Sequence, residues 1–218
     1  MMKTLIATTL LATSAHAELC TFENLPAPTF GEGLNSGSGF YIGAVGNYDG
    51  FNFTSAYQTS NNVYSFLNNK WAYYDLVGGS GYYGFDEGIV GDRALFTPWS
   101  SNSSYDYRIN RNELWRLNSL EVTSIYNNMT VVIQGFRYGE GVFTYTAPLS
   151  TAQRVKLLIS NVYPGPLNNI TEIKVYGAGV GTHLAIDNIE YTVVPAPSAL
   201  ALLAVAGIST NRTNRRRK

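Results

Sequence analysis

The chain has 218 residues, of which 45% are hydrophobic, 13% aromatic and 14% charged, with a single cysteine. Once two terminal segments are set aside this is material for about one domain, and a lone thiol excludes an internal disulfide, leaving packing to hold the fold. The formal charge is zero, yet all fifteen acids lie between Glu18 and Glu190 beside only nine Lys or Arg, a balance of −6, and so acidic a body excludes nucleic acid as an expected partner.

Met1 to Ala17 carries Lys3, an apolar stretch from Leu5 to Leu11 and then Ala15-His16-Ala17, the pattern of a secretory signal peptide with its cleavage site. The mature chain is expected to begin at Glu18. Cys20 follows closely, but Glu18 and Leu19 are not the small residues that precede a lipidated cysteine. Thr21 to Gly50 is rich in Gly, Pro and Asn with aromatics between them, which predicts short strands and long loops. Phe51 to Tyr57 alternates like a half-buried strand, and Val63 to Leu67 reads as another. A glycine-rich loop around Gly78 to Gly88 precedes an apolar run from Ile89 to Phe96.

The second half has a plainer rhythm. Short β-branched or aromatic runs at Leu117–Ile125, Met129–Ile133, Val142–Tyr145, Val155–Ile159, Ile170–Tyr176 and Leu184–Val193 are separated by turn chemistry at Asn127-Asn128, Gly139-Glu140-Gly141, Ala147-Pro148 and Tyr163 to Pro166. Nothing between Glu18 and Val194 sustains a helical apolar period, so the expected fold is an all-β, two-sheet antiparallel sandwich over 18–193.

Catalytic chemistry finds little support. After signal removal His183 is the only histidine, and no Gly-x-Ser-x-Gly elbow accompanies it. Asp86 and Glu87 point to opposite faces if they lie on a strand, as a glycosidase pair cannot. No phosphate-binding glycine motif occurs. We therefore expect no enzyme. Calcium is the candidate cofactor, because it takes six to eight oxygens and Glu23 on the first strand could meet Asp187 on the last. Sugar rings stack on exposed aromatic faces, which makes Trp71, Tyr73, Tyr74, Tyr82, Tyr83 and Trp99 the candidate stacking residues. Asn52, Asn102, Asn128, Asn169 and Asn211 each open an Asn-x-Ser/Thr sequon.

The chain closes with Val194-Pro195-Ala196-Pro197, a ten-residue apolar run from Ala199 to Ile208, and the basic cluster Arg212, Arg215, Arg216, Arg217 and Lys218. The run is short beside the roughly 20 residues of an ordinary membrane-spanning helix, and the cluster would stay cytoplasmic with the domain outside. This order of proline motif, brief transmembrane segment and arginines resembles the PEP-CTERM sorting tail of exported bacterial proteins, with Ala196 in place of the usual glutamate. Phe22-Glu23, Gly81-Tyr82-Tyr83-Gly84-Phe85, Gln134-Gly135-Phe136 and Ala185 to Ile189 likewise resemble PEP-CTERM-associated jelly-roll domains. The resemblance implies a jelly-roll body over about Thr21 to Tyr191, an exosortase-type sorting enzyme as partner, and an envelope or cell-surface destination beside exopolysaccharide. Two functions fit: a non-enzymatic surface or matrix protein, or a carbohydrate-binding-module-like domain with a structural calcium.

Overall fold

The computed structural model describes residues 16–26, 41–55, 71–75, 93–97, 107–151, 153–179 and 183–195. The described residues form twelve strands: β1 (Ala17–Cys20), β2 (Tyr41–Val45), β3 (Asn47–Tyr48), β4 (Phe51–Ser55), β5 (Trp71–Asp75), β6 (Arg93–Phe96), β7 (Tyr107–Ser124), β8 (Met129–Arg137), β9 (Glu140–Leu149), β10 (Val155–Leu157), β11 (Ile170–Ala178) and β12 (Leu184–Val193). Among the described residues, helix is confined to one turn, α1 (Ile159–Val162), and a 3-10 turn at Gly165–Asn168. Among the described residues every strand pairing is antiparallel. The expectation of an all-β antiparallel domain is borne out.

The ladder runs β2-β5-β6-β12-β7-β11-β8-β9, with β1 on β12, β10 on β7, and the β3–β4 hairpin on β7. β7 makes two layers out of this single ladder. Its first residues pair with β4 and β11, Asn52 facing Asn110 and Lys174 facing Arg108. From Trp115 onward it pairs instead with β12, and at Leu120 to Val122 with β10. One layer is therefore β2-β5-β6-β12 with the second half of β7, and the other is β3-β4, the first half of β7, β11, β8 and β9.

Alternation fixes which side chains lie between the layers. In β4, Phe51, Phe53 and Ser55 are buried while Asn52 is exposed, because successive side chains of a strand point to opposite faces. Phe51 meets Trp115 and Tyr191 edge-on, with ring centroids 5.1 and 4.8 Å away. Trp71 of β5 packs against Phe53 of β4 and Tyr107 of β7 at 6.2 and 5.2 Å. Each buried ring contributes about 1.5–3 kcal/mol from area alone, and edge-to-face geometry adds about 0.5–1.5 kcal/mol per pair. Trp71 also ties the layers directly, its indole Nε1 donating to the carbonyls of Thr54 and Arg108, each at 3.1 Å.

Several element boundaries differ from the sequence reading. β7 starts ten residues before Leu117, at Tyr107. Ala147-Pro148 is no turn but part of β9, which pairs only with β8 among the described residues, the kind of edge strand in which proline is found. The run expected as a strand to Ile159 ends at Leu157, and α1 takes over. Behind the 3-10 turn, buried Asn168 substitutes for a strand neighbour: its amide donates to the Leu117 carbonyl at 2.6 Å and accepts from the Leu117 N–H at 3.4 Å. The strand expected at Val63 to Leu67 and the glycine-rich loop lie outside the described residues, as do the signal segment before His16 and the tail beyond Pro195. Among the described residues no helix is long and apolar enough to cross a membrane. The expected processing point falls at the first residue of β1, so Glu18, Leu19 and Cys20 would remain to pair with Tyr191, Glu190 and Ile189.

Candidate functional site

A cleft of about 350 Å³ opens where the β3–β4 hairpin lies beside β7, lined by Asn47, Gly50, Phe51, Asn52, Asn110, Arg111 and Asn112. Two local features build it. The first is the hairpin turn Asp49-Gly50, with φ of 51° and 74° between the paired residues Tyr48 and Phe51. Two successive positive φ values define the type I′ turn that Asp-Gly sequences favour. A Cβ at Gly50 would sit 2.8 Å from Nη2 of Arg111 and push the guanidinium aside.

The second feature is an excursion in β7. Asn110 faces Glu172 and Trp115 faces Ile170, so Arg111 to Leu114 stand against Thr171 alone. The surplus must leave the ladder as a bulge, which re-aims side chains. It lifts Asn112 into solvent and lays the Arg111 guanidinium over the rings of Phe51 and Tyr191, at 4.7 and 4.8 Å. Arg111 Nη1 donates to the Asp49 carbonyl at 3.1 Å, clamping the bulge to the hairpin. Beneath it, the buried Tyr191 hydroxyl donates to the Glu18 carboxylate at 2.7 Å. Burial first, and the Glu18 bond second, push the Tyr191 phenol up from its usual range. Burial also pushes up the Cys20 thiol, with the hydrogen-bonded Asp49 carboxylate adding to the shift.

Register aligns the polar residues. Asn47 faces Asn52, Asn52 faces Asn110, and Asn110 faces Glu172, so the row crosses four strands, about 14 Å at the usual strand spacing. One step along lies Thr54, Arg108, Lys174, Gln134 and Thr144. Arg108 and Glu172 form an ion pair at 2.6 Å, and Lys174 Nζ sits 5.4 Å from the Tyr176 ring centre. The cleft lining offers four carboxamides, each with two N–H donors and an acceptor oxygen, one guanidinium, and no nucleophile or titrating base. Such a set can hold a ligand that both donates and accepts hydrogen bonds at many points.

The residues singled out from sequence fall elsewhere. Trp71 and Tyr73 are buried, at 0% and 2% exposure, which corrects their assignment as stacking platforms. The Trp71 ring is occupied by Phe53 and Tyr107, and the Tyr73 hydroxyl donates to the Pro26 carbonyl. The Tyr74 side chain, Tyr82, Tyr83 and Trp99 lie outside the described residues. Glu23 is not on the first strand but in the turn after it, closed by the Leu25 N–H donating to the Phe22 carbonyl at 3.0 Å. Its carbonyl accepts from Arg93 Nη1 at 2.7 Å. Asp187 is buried and accepts from the Asn188 N–H at 2.7 Å. Among the described residues no group of three or more His, Cys, Asp or Glu is placed to hold a metal ion. His183, immediately before β12, is buried, stacked on Tyr126 at 5.1 Å and edge-on to Phe96. Of the tail motif, Val194 and Pro195 are described and follow β12, while Ala196, Pro197 and the basic cluster lie outside the described residues. The cleft itself escaped the sequence reading, although Asp49-Gly50 between aromatic residues was a usable hairpin signal.

No family model matches the chain, and no curated protein sequence is similar to it. Among solved structures, the CBM22-1 xylan-binding domain from Paenibacillus barcinonensis Xyn10C resembles it with a TM-score of 0.41 at 11% identity, over 85% of this chain and 99% of that one. The family 11 carbohydrate-binding module of Lic26A-Cel5E of Clostridium thermocellum gives 0.30 at 11% identity, over 84% and 97%. TmCBM61 in complex with β-1,4-galactotriose gives 0.28 at 10% identity, over 78% and 99%. Likenesses this loose say nothing of what this chain binds.

Proposed function

We propose that the domain is a non-catalytic glycan-binding module of an exported, cell-surface protein, and that the cleft between the β3–β4 hairpin and the β7 bulge is its binding site. One observation carries this reading: four asparagine carboxamides and a guanidinium line one cleft, with Asn47, Asn52 and Asn110 in register across three strands. Sugar hydroxyls both donate and accept, and carboxamides match that double capacity where carboxylates or ammonium groups offer only one half of it. Phe51, buried beneath, supports the cleft from below by holding the Arg111 guanidinium over its ring at 4.7 Å. The tail sequence supports delivery to the envelope, with the Val194-Pro195-Ala196-Pro197 motif presented to an exosortase-type enzyme and the apolar run as a membrane segment.

The test is affinity electrophoresis of the 18–195 body against a panel of soluble neutral and acidic polysaccharides, with Asn52→Ala/Asn110→Ala alongside. Retardation by at least one glycan, weakened about tenfold in the double variant at an unchanged unfolding midpoint, is the expected result. Equal mobility in every gel would overturn the assignment. Intact mass of protein recovered from cells tests the delivery half: a C-terminus near Val194 supports sorting, and a retained Lys218 removes it.

A further inference from the structure

The ligand of the cleft can be narrowed through Arg111, on the premise that the cleft binds glycan. It is the one charged residue of the lining, and its donors are unevenly used. Nη1 is spent on the Asp49 carbonyl. Nε is buried and has no hydrogen-bond partner. The nearest carboxylate oxygen, Oε2 of Glu113, stands 3.7 Å from Nε, beyond hydrogen-bond reach, and the Glu113 side chain is 60% exposed. Asp49, the other acid at hand, meets Arg111 through its carbonyl. The guanidinium is thus held by two aromatic rings and one carbonyl, while its Nε edge faces only a loosely placed carboxylate.

A guanidinium edge is a planar pair of N–H donors that matches the two oxygens of a carboxylate. We propose that the cleft takes an acidic glycan, a uronic-acid-bearing chain whose carboxylate displaces Glu113 from the Nε edge of Arg111 while the asparagine amides bond the ring hydroxyls. The body's excess of acids does not oppose this, because recognition depends on a fork at short range and distant exposed charges are screened within about 10 Å at 0.1 M salt. Glu113 then acts as a stand-in that keeps the edge from unrelated anions and yields to a carboxylate that brings hydroxyl contacts with it.

The experiment compares polygalacturonate oligomers, the same oligomers fully methyl-esterified, and a neutral glucan, by titration calorimetry with wild-type protein, Arg111→Lys and Glu113→Gln. Wild type should bind the acid form about tenfold more tightly than the ester. Arg111→Lys should lose most of that preference, since an ammonium lacks the fork. Arg111 also clamps the hairpin, so the decisive variant is Glu113→Gln at an exposed position, which removes the competing carboxylate. It should tighten binding of the acid form about two- to fivefold and leave the ester unchanged. Ester bound as tightly as acid would overturn the uronate assignment while leaving the glycan-binding reading in place. Acid preference indifferent to Glu113→Gln would overturn the role of the Nε edge. Binding of no glycan in the whole panel would remove the glycan-binding reading itself, and this inference with it.

Discussion

The two faces of the β3–β4 hairpin and the start of β7 carry opposite chemistries. Inward, Phe51, Phe53 and Ile109 join Trp71, Trp115 and Tyr191 in the core. Outward, Asn47, Asn52 and Asn110 form a row of amides. The chain's aromatic richness therefore builds its interior at this end, and its asparagines furnish the surface that can meet a ligand. A high aromatic content in a β-sandwich first answers the demand for packing between two layers, because bulky rings fill the roughly 10 Å separation of stacked sheets.

Substitutions can separate the two faces. The largest expected effect is Trp71→Ala, which empties a fully buried site and strands two carbonyls, lowering stability by about 3–5 kcal/mol in urea unfolding. Were Trp71 a sugar platform, the change would instead abolish binding at constant stability. Next comes Asn52→Ala with Asn110→Ala, for which we expect glycan affinity to fall by about 1.4 kcal/mol or more while stability stays within about 0.5 kcal/mol. Gly50→Ala should touch both faces. Its φ of 74° and the 2.8 Å approach to Arg111 predict about 1 kcal/mol of destabilisation, with weaker glycan binding as the clamp shifts.

The smallest effect belongs to the far side of the molecule. The Ser119 hydroxyl, donating at 2.8 Å, holds the Glu190 carboxyl below its usual range, with Lys156 adding to the effect. A lowered folded pKa gives a contribution that is present above the ordinary glutamate value of about 4.3 and lost as pH falls through the folded value. Ser119→Ala should accordingly cost stability at about pH 7 and progressively less as the pH falls below about 4.3, seen as urea midpoints that converge in acid. A constant gap between the two curves would mean the hydroxyl acts by packing alone.

What the sequence made legible follows from where each signal comes from. β8, β11 and β12 were readable because their inward residues are β-branched or large, as in the run Met129 to Ile133. The first half of β7 was not. Arg108, Asn110, Arg111, Asn112 and Glu113 break the apolar pattern, and only pairing with β4 and β11 reveals that Tyr107 and Ile109 alone need burial there. Trp71 and Tyr73 misled for the converse reason, since exposure is not written in residue type and Trp71-Ala72-Tyr73 is buried throughout. The cleft is harder still: its asparagines come from three strands, and nothing before register places Asn47, Asn52 and Asn110 side by side.

One contact links the cleft to the end of the last strand. The Val194 N–H donates to the Leu114 carbonyl at 2.8 Å, so the last strand leaves the domain against the same bulge that carries Arg111 and Asn112. Any pull applied from the C-terminal side would reach this bond at the end of β12, next to the segment that carries Arg111 and Asn112. If the proposed tether and the proposed glycan site both hold, load on the tether would be felt first beside the cleft itself.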